Sequence, residues 1–462
     1  MNEYRIEQDS LGAMQVPADA LYGAQTARAI DNFPISGLTL PQSMLRALGL
    51  IKKHAAHTNQ ELGLLNPEAA DAISRVAEEV IAGKLADQFP VDIFQTGSGT
   101  SSNMNINEVI ANRAAQLLGQ PIGSKVIHPN DQVNMGQSSN DVFPSAIHIA
   151  CAEELHKRLL PALEQLLQQL AEKSEEFMDI LKIGRTHLQD ATPVRLGQVF
   201  SGYARQVELA HERLSVCSSG LYELPLGGTA VGTGINTHPE FAAKTIAAIA
   251  RETCLPFREA NNHFEAQGAK GALLATSSSL KDCAADLFKV ANDIRFLASG
   301  PRCGIGELIL PAVQPGSSIM PGKINPVMAE SLIQVCTQVI GNDATVTLCG
   351  LSGNFELNVM MPVMAHNILQ SIELLSNAIL AFDEKCLNGL EADRDRCGEL
   401  LERSLALVTA LVPEIGYDRA AALAKEAHKT GRTLRELALE DGVPAETLDK
   451  LLDPAEMVEP KG

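Results

Sequence analysis

The sequence predicts an all-α protein of three domains with a long central bundle of helices. Hydrophobic residues make up 45% of its 462 residues, which is enough for a large buried core. Aromatic residues make up only 4% and tryptophan is absent, so alanine and leucine must fill that core, and this favours helices packed on helices over a β-sandwich. No segment shows a strand-like alternation of any length, with the region near Val126 as the one candidate.

Residues 1–137 are predicted to form an N-terminal, mostly helical domain. Residues 1–40 are expected to be irregular, because glycine and proline recur through them. Apolar residues then repeat at helical spacing, and we predict helices from about Pro41 to Gly63, Pro67 to Ala82 and Glu108 to Leu118.

Residues 138–392 are predicted to form the central domain. Five long amphipathic helices lie between about residues 141 and 389, and their length predicts near-parallel packing in a bundle. Pro161 should kink the first of them. Several are apolar on more than one face, which predicts that a second face is buried against another subunit. The helices then shorten, so residues 393–462 should form a small helical C-terminal domain.

The charge and the cysteines exclude several kinds of partner. A net charge of −19 argues against nucleic acid, since no basic face could be large. No apolar run approaches about 18 residues, so no membrane span is expected. The nine cysteines are odd in number and scattered without a Cys-x-x-Cys pair, which indicates reduced thiols in a cytoplasmic protein. The N-terminus is too polar for a signal peptide, and we expect no metal and no cofactor.

Four loops rich in hydrogen-bond donors stand out, and each adjoins a long helix. They cover residues 95–105, 137–141, 184–190 and 315–330. Hydroxyls, side-chain amides and glycine N–H groups beside a helix N-terminus make a site for a carboxylate or another anion. The alternatives are an over-long helix cap for the first loop and an inert surface loop for the last. A further glycine-rich run, residues 226–236, is interpreted as a tight backbone passage between helices.

Two nucleotide motifs are excluded by spacing. In the 315–330 loop five residues separate the glycines and Ile324 follows Lys323, so this is not a phosphate loop. Gly97-x-Gly99 lacks the third glycine of a dinucleotide-binding motif. What remains is a pocket of hydroxyls, amides, one lysine and one histidine, which fits a small polar dianion and acid–base chemistry.

Three of the loops carry the motifs of a known family. The last reads Gly-Ser-Ser-Ile-Met-Pro-Gly-Lys-Ile-Asn-Pro from Gly316, and the earlier ones read Gln-Ser-Ser-Asn-Asp from Gln137 and Thr-Gly-Ser-Gly-Thr from Thr96. In these motifs, and in their order along almost the whole chain, the sequence closely resembles the class II fumarases of the fumarase/aspartase superfamily. Gly322 and Ser139 distinguish it from aspartases, which usually carry alanine and threonine at these positions.

The resemblance implies the reversible, stereospecific hydration of fumarate to (S)-malate, a step of the tricarboxylic acid cycle, without a metal. In the dehydration direction a base removes a proton next to one carboxylate, an aci-carboxylate forms, and water leaves the neighbouring carbon. The resemblance also implies a homotetramer whose central bundle joins helices of four subunits, with active sites that each combine loops of three subunits. A sister lyase that releases ammonia, such as aspartase, and a catalytically silent protein of the same fold are the alternatives.

The same resemblance assigns roles by position. Ser317 is the expected base, and Lys323 is expected to hold the carboxylate where charge accumulates. His187, paired with Glu330, is expected to handle the leaving water. Hydroxyls and amides are expected to bind the substrate carboxylates, namely Ser98, Thr100, Ser138, Ser139, Asn140, Thr186, Ser318 and Asn325. A second carboxylate site is implied at Lys125, His128, Asn130 and Asp131. Some relatives have arginine in place of that lysine.

Overall fold

The computed structural model describes residues 4–459, so the first three residues of the polar N-terminus and the last three residues lie outside it. Helices dominate this range, which confirms the predicted all-α class. The α-helices are α1 (Ala24–Asn32), α2 (Gln42–Glu61), α3 (Pro67–Ile81), α4 (Thr100–Leu117), α5 (Ser139–Glu154), α6 (Leu160–Glu176), α7 (Leu196–Ser218), α8 (Phe241–Thr253), α9 (His263–Gly268), α10 (Gly271–Leu297), α11 (Val327–Gly350), α12 (Met361–Phe382), α13 (Arg394–Glu402), α14 (Val412–Ile415), α15 (Tyr417–Thr430), α16 (Leu434–Glu440) and α17 (Ala445–Leu451).

The strands of the described range are short and pair two by two. They are β1 (Tyr4–Asp9), β2 (Gly12–Pro17), β3 (Leu181–Thr186), β4 (Gln189–Arg195), β5 (Glu223–Leu224), β6 (Arg258–Glu259), β7 (Leu308–Ile309), β8 (Gly353–Asn354), β9 (Leu357–Asn358) and β10 (Glu391–Ala392). The pairs β1–β2, β3–β4, β7–β10 and β8–β9 are antiparallel, and β5–β6 is parallel.

The chain divides into two compact units. The first consists of Met1–Pro161, Glu212–Ala284 and Cys336–Ser376. The second consists of Ala162–His211, Ala285–Val335 and Asn377–Gly462. The domain boundaries predicted after residues 137 and 392 stay predictions.

The first unit is built around α2. Helices α3, α4, α5 and α8 pack against it, and Leu48 and Ile51 of α2 are fully buried among them. These apolar residues recur at the spacing of one helix turn, so one stripe of α2 faces the core. The packing fixes the starts of α4 and α5, which lie within two of the stretches predicted to be donor-rich loops.

The second unit has an apolar cluster formed by its C-terminal helices. Leu411, Ala438 and Leu448 are fully buried there. Ile183 of β3 packs into the same cluster, so the β3–β4 hairpin is attached to these helices through its apolar side.

The prediction that no strand of any length exists was wrong for two regions, the β1–β2 hairpin near the N-terminus and the β3–β4 hairpin of the second unit. Residues 1–40, predicted to be irregular, contain the β1–β2 hairpin and the helix α1. The hairpin is fixed by contacts distant in sequence: Arg5 donates to the carbonyls of Pro17 and Ala20, both at 2.7 Å. Exposure alternates along β1, but the charged Arg5 is half-buried while Tyr4 and Ile6 are exposed, so no alternating apolar face marks this strand in the sequence. The candidate strand near Val126 is absent from the structure.

The helix predictions differ from the structure mainly at the helix ends. Helix α4 begins at Thr100, eight residues before the predicted start. Its first turns bury polar residues, among them Ser102 and Asn103, and a search for apolar periodicity does not detect such turns. The first bundle helix is interrupted by a π-helical turn, Leu155–Leu159, just before Pro161. Proline removes a backbone donor, and a π-turn is one way in which a helix accommodates that loss. No helix within residues 4–459 combines the length with the hydropathy that a membrane span requires.

Candidate active site

Two helix N-termini in the first unit carry a chain of hydroxyl groups. Thr100 is the first residue of α4 and Ser139 is the first residue of α5. The Oγ1 of Thr100 lies 2.7 Å from the Oγ of Ser98 and 2.7 Å from the Oγ of Ser139. Both helix starts have N–H groups without intrahelical acceptors, and both helix dipoles present their positive ends. The arrangement can therefore offer several donors to one carboxylate.

Close packing explains two glycines of the loop before α4. Gly99 has φ 74°, and a Cβ atom there would lie 2.2 Å from the ring of Phe143. A Cβ atom at Gly97 would lie 1.7 Å from the carbonyl oxygen of Val359. Only glycine fits at these two positions. The tight passage places Ser98 within hydrogen-bond distance of Thr100.

A capping box fixes the start of α5. The N–H of Ser138 donates to Oδ1 of Asp141 at 2.9 Å. The other oxygen of Asp141 accepts N–H groups of Gly227 and Thr229, both at 2.9 Å. Asp141 is fully buried, and burial raises the pKa of its carboxyl although the three N–H donors oppose that shift. The glycine-rich loop, interpreted from the sequence as a passage, thus also holds the Ser138–Asn140 segment in place.

The side chain of Asn140 is tied to the same loop. Its Nδ2 donates to the carbonyl of Ala230 at 2.8 Å. The neighbouring Thr229 has φ 54°, which is unusual for a β-branched residue. Its carbonyl accepts the side-chain amide of the buried Gln267 at 2.9 Å. These contacts hold the loop in a strained conformation that presents a carbonyl to Asn140.

A buried lysine lies beneath the turn that precedes Ser138. Lys52 of α2 is 0% exposed, and its Nζ donates to Asn134 Oδ1 and Gln137 Oε1, both at 2.9 Å. Burial lowers the pKa of Lys52 to about 7, and the negative charge of Asp141 opposes that shift. No signal in the sequence marks this role, because a lysine within an amphipathic helix ordinarily faces solvent.

The residues of the second carboxylate site lie close together in the first unit. Lys125, His128 and Asn130 line one cavity of about 770 Å³. Nδ1 of His128 accepts the N–H of Asp131 at 3.2 Å and lies 3.2 Å from one of its carboxylate oxygens. The structure therefore groups all four residues around one π-helical turn, Pro129–Val133.

In the second unit His187 lies at the tip of a hairpin, where the sequence predicted a loop. Thr186 of β3 pairs with Gln189 of β4, and His187 and Leu188 form the turn between them. Thr186 and His187 are both exposed. The strands were missed because β3 is buried over three consecutive residues, Lys182–Gly184, instead of alternating.

The 315–330 loop is ordered by its own backbone. The N–H of Gly316 donates to the carbonyl of Lys323 at 2.9 Å, and the side-chain amide of Asn325 donates to the carbonyl of Gly316 at 2.7 Å. Inside this closed loop the Oγ of Ser317 accepts N–H groups of Ile319 and Met320 at 3.2 and 3.1 Å. These two donors would stabilise negative charge on that oxygen.

The remaining predicted residues of this unit are Ser318, Lys323 and Glu330. Ser318 and Lys323 are exposed, and within residues 4–459 no carboxylate pairs with the Lys323 ammonium. Glu330 lies in the first turn of α11. In the described part of the chain no hydrogen bond or ion pair joins it to His187, so the predicted pairing is not made by these residues within one subunit. The same part of the chain holds no cluster of three histidine, cysteine or acidic side chains arranged for a metal.

Comparisons with known proteins agree with these motifs. A family model described as "Lyase" matches residues 12–341, and one described as "Fumarase C C-terminus" matches residues 407–459. The chain is 56% identical to a class II fumarate hydratase of Halobacterium salinarum, over 100% of this chain and 97% of that protein. It is 54% identical to the mitochondrial fumarate hydratase 1 of Arabidopsis thaliana, over 99% of this chain and 93% of that protein.

A solved structure gives the same answer at the level of the fold. The crystal structure of class II fumarase from Schistosoma mansoni superposes with a TM-score of 0.96 at 41% identity, and the match covers 100% of both chains. Sequence motifs, family models and fold therefore agree over the full length, and the chain belongs to the class II fumarase family of the fumarase/aspartase superfamily.

Proposed function

We propose that this protein catalyses the reversible, stereospecific hydration of fumarate to (S)-malate, with Ser317 as the base in the dehydration direction. The observation that carries the assignment is the setting of the Ser317 hydroxyl, whose oxygen accepts two backbone N–H groups. A serine hydroxyl is a weak base unless its alkoxide is stabilised. Donors aimed at the oxygen supply that stabilisation, as they do in an oxyanion hole.

Lys323 and Asn325 then act on the substrate. Removal of the proton next to one carboxylate leaves two extra electrons in the aci-carboxylate, so negative charge accumulates on its oxygens. An exposed ammonium without a carboxylate partner in the described chain is suited to that charge. The hydroxyl on the neighbouring carbon leaves as water after it gains a proton, which His187 supplies directly or through a water molecule.

The hydroxyl chain of the first unit binds the dicarboxylate. Ser98, Thr100 and Ser139 are joined by hydrogen bonds of 2.7 Å and stand at two helix N-termini. Ser138, Asn140, Thr186 and Ser318 complete the proposed set. The hydroxyls can each rotate to donate to the ligand, which lets a neutral site hold a dianion.

We further propose a homotetramer in which each active site takes loops from three subunits. This arrangement would let Glu330 of one subunit pair with the imidazole of another, since the two groups are not paired within the described chain. Exposed apolar side chains on the long helices, Ile340 and Leu348 of α11 and Leu380 of α12, support burial of a second helix face. We also propose a cytoplasmic location, in keeping with nine cysteines of which none forms a disulfide within residues 4–459.

The test is an assay of the purified protein with fumarate and with malate. We expect turnover in both directions, and the same rate after exhaustive treatment with a chelator. Ser317→Ala and His187→Asn should each lower kcat by about a hundredfold or more, as the loss of an acid–base group does. Thr430→Ala removes an exposed hydroxyl at the end of α15 and should leave kcat unchanged.

Different results would contradict different parts of the proposal. A protein that never hydrates fumarate would exclude the reaction, and brisk release of ammonia from aspartate would support the sister-lyase alternative, which the fumarate hydratase relatives do not favour. Full activity of Ser317→Ala would leave the reaction intact and remove the assignment of the base.

A further inference from the structure

We propose that Glu307 is a positioning residue for His187, because it holds the strand that leads into the His187 turn. The inference deepens the proposed function and rests on the role given there to His187. Glu307 lies outside the motifs that identify the family in this sequence, and its carboxylate is not expected to contact substrate. Three features of the second unit carry the inference: a strained turn, an irregular strand and a buried carboxylate.

The turn that carries His187 is strained. His187 has φ 55° and Leu188 has φ 59°, so both central residues lie in the left-handed region. A two-residue hairpin turn of this kind ordinarily uses asparagine and glycine, because a Cβ atom makes the conformation unfavourable. Leu188 is 79% exposed, so burial of its side chain does not offset the strain. The conformation must therefore be maintained by the strands on either side.

The strand before the turn, β3, has an irregularity that lets two of its side chains bind Glu307. In a regular strand, residues three positions apart point to opposite faces. A register shift between Ile183 and Arg185 changes this, and both Lys182 and Arg185 reach the carboxylate of Glu307. A bulge of this kind redirects side chains and occurs often beside active sites. The residue in the bulge is Gly184, where a Cβ atom would lie 2.6 Å from the carbonyl oxygen of Thr192.

Glu307 is a rigid and buried partner. Its side chain is 0% exposed and accepts both terminal nitrogens of Arg185 at 2.9 Å, with Nζ of Lys182 at 3.2 Å. Its backbone N–H donates to the carbonyl of Leu297 at 2.8 Å, and its carbonyl accepts the N–H of Asp393 at 3.0 Å. A two-point contact between a guanidinium and a carboxylate fixes orientation as well as distance. Arg185 is two residues before His187, so this orientation is transmitted to the imidazole.

A purely structural ion pair is the competing explanation, and kinetics can separate the two. Substrate carboxylates are bound mainly by other loops, whereas the imidazole acts in the chemical step. A misoriented His187 should therefore lower kcat more than it changes KM. A displacement of about 1 Å at a reacting group can lower a rate by about a hundredfold. General destabilisation would instead reduce the amount of folded enzyme, with kcat per folded molecule and KM unchanged.

The first experiment compares Glu307→Gln with a matched control in the full-length enzyme. Glu153 is 3% exposed and also binds one arginine through two nitrogens, Arg46 at 3.0 Å each, and one lysine, Lys157. We expect Glu307→Gln to lower kcat by about tenfold to a hundredfold with KM within about threefold. Glu153→Gln should reduce thermal stability to a similar degree and keep the wild-type kcat per folded molecule.

The second experiment asks whether Glu307 acts through His187. In a double-mutant cycle, Glu307→Gln should cause no further loss of kcat when His187→Asn is already present. If the Gln variant does not fold, Arg185→Lys replaces it, since a lysine keeps the charge but loses the two-point contact, and it should show the same dependence on His187. Wild-type kcat in folded Glu307→Gln or Arg185→Lys, or losses that add fully to that of His187→Asn, would overturn the inference. Full activity of His187→Asn alone would instead refute the proposed role of His187.

Discussion

Replacing the buried Lys52 by methionine should change how the stability of the protein depends on pH. Lys52 is 0% exposed and burial lowers the pKa of its ammonium from 10.5 to about 7. The folded protein therefore releases this proton near neutral pH, whereas the unfolded chain keeps it up to about pH 10.5. Between these two values the unfolded state binds more protons, so the free energy of unfolding rises with pH. Below about pH 7 both states are charged and the folded state bears the whole cost of the buried charge.

The pKa shift sets the size of the effect. A change from 10.5 to about 7 corresponds to about 5 kcal/mol in total, at about 1.4 kcal/mol per unit. Roughly 2 kcal/mol of this cost is relieved between about pH 7 and pH 9, because the unfolded lysine remains charged while the folded one loses its proton. The Met variant lacks this contribution. We expect its free energy of unfolding, relative to that of the wild type, to fall by about 2 kcal/mol over the same pH range.

Urea unfolding at two pH values and one fixed protein concentration measures this difference. A fixed concentration matters because subunit association contributes to the stability of an oligomer. Other buried groups such as Lys270, whose pKa burial lowers to about 8, titrate in both proteins and cancel in the comparison. The exposed Lys425 of α15 supplies a control, and Lys425→Met should show no dependence on pH relative to the wild type. A difference between Lys52→Met and wild type that stays constant from pH 7 to pH 9 would refute the reasoning.

Three further substitutions test the proposed substrate site. Thr100→Val keeps the shape of the side chain but removes the hydroxyl that is hydrogen-bonded to Ser139. A hydrogen bond to a charged group contributes about 1.5–3 kcal/mol, so KM for fumarate should rise by about tenfold or more. Asp141→Asn removes a carboxylate that accepts three N–H groups, so urea unfolding should show a loss of about 2 kcal/mol or more; an unchanged midpoint would contradict that role. Gly97→Ala places a Cβ atom 1.7 Å from the carbonyl oxygen of Val359, so the yield of folded protein should drop sharply, and a normal yield with normal KM would show that the loop can move aside.

The donor-rich loops could be predicted from sequence because their chemistry is local. Serine, threonine, asparagine and glycine are uncommon in helix interiors, so the runs Gly97–Asn105 and Gly316–Asn325 stand out without knowledge of the fold, although the residues from Thr100 onward in the first run belong to α4. The structure then placed Ser98, Thr100 and Ser139 in one hydrogen-bonded chain. That contact joins residues about forty positions apart, and it follows from the packing of α4 and α5, which no local pattern encodes.

The buried charges could not be predicted for a physical reason. Lys52, Asp141 and Glu307 belong to residue types that are almost always exposed, and periodicity places them by default on a solvent face. Each is buried because a partner distant in sequence satisfies it: a turn for the lysine, a glycine-rich loop for the aspartate and a bulged strand for the glutamate. The missed strands have the same origin, since β3 is buried against the C-terminal helices and therefore does not alternate.

An acidic protein must still bind a dianion, and the structure suggests how. At physiological ionic strength a net charge of −19 acts only over about 8 Å before salt screens it. Within that distance the starts of α4 and α5 each present about half a positive charge, and their hydroxyls lie in hydrogen-bond contact. Two buried carboxylates of these helices are already satisfied: Asp141 of α5 accepts three N–H groups, and Glu108 of α4 accepts those of Gly23, Gln25 and Thr26. Local helix dipoles therefore dominate the electrostatic potential at the site. The buried carboxylates hold the surrounding backbone in place, and the N–H groups that they accept offset their negative charge.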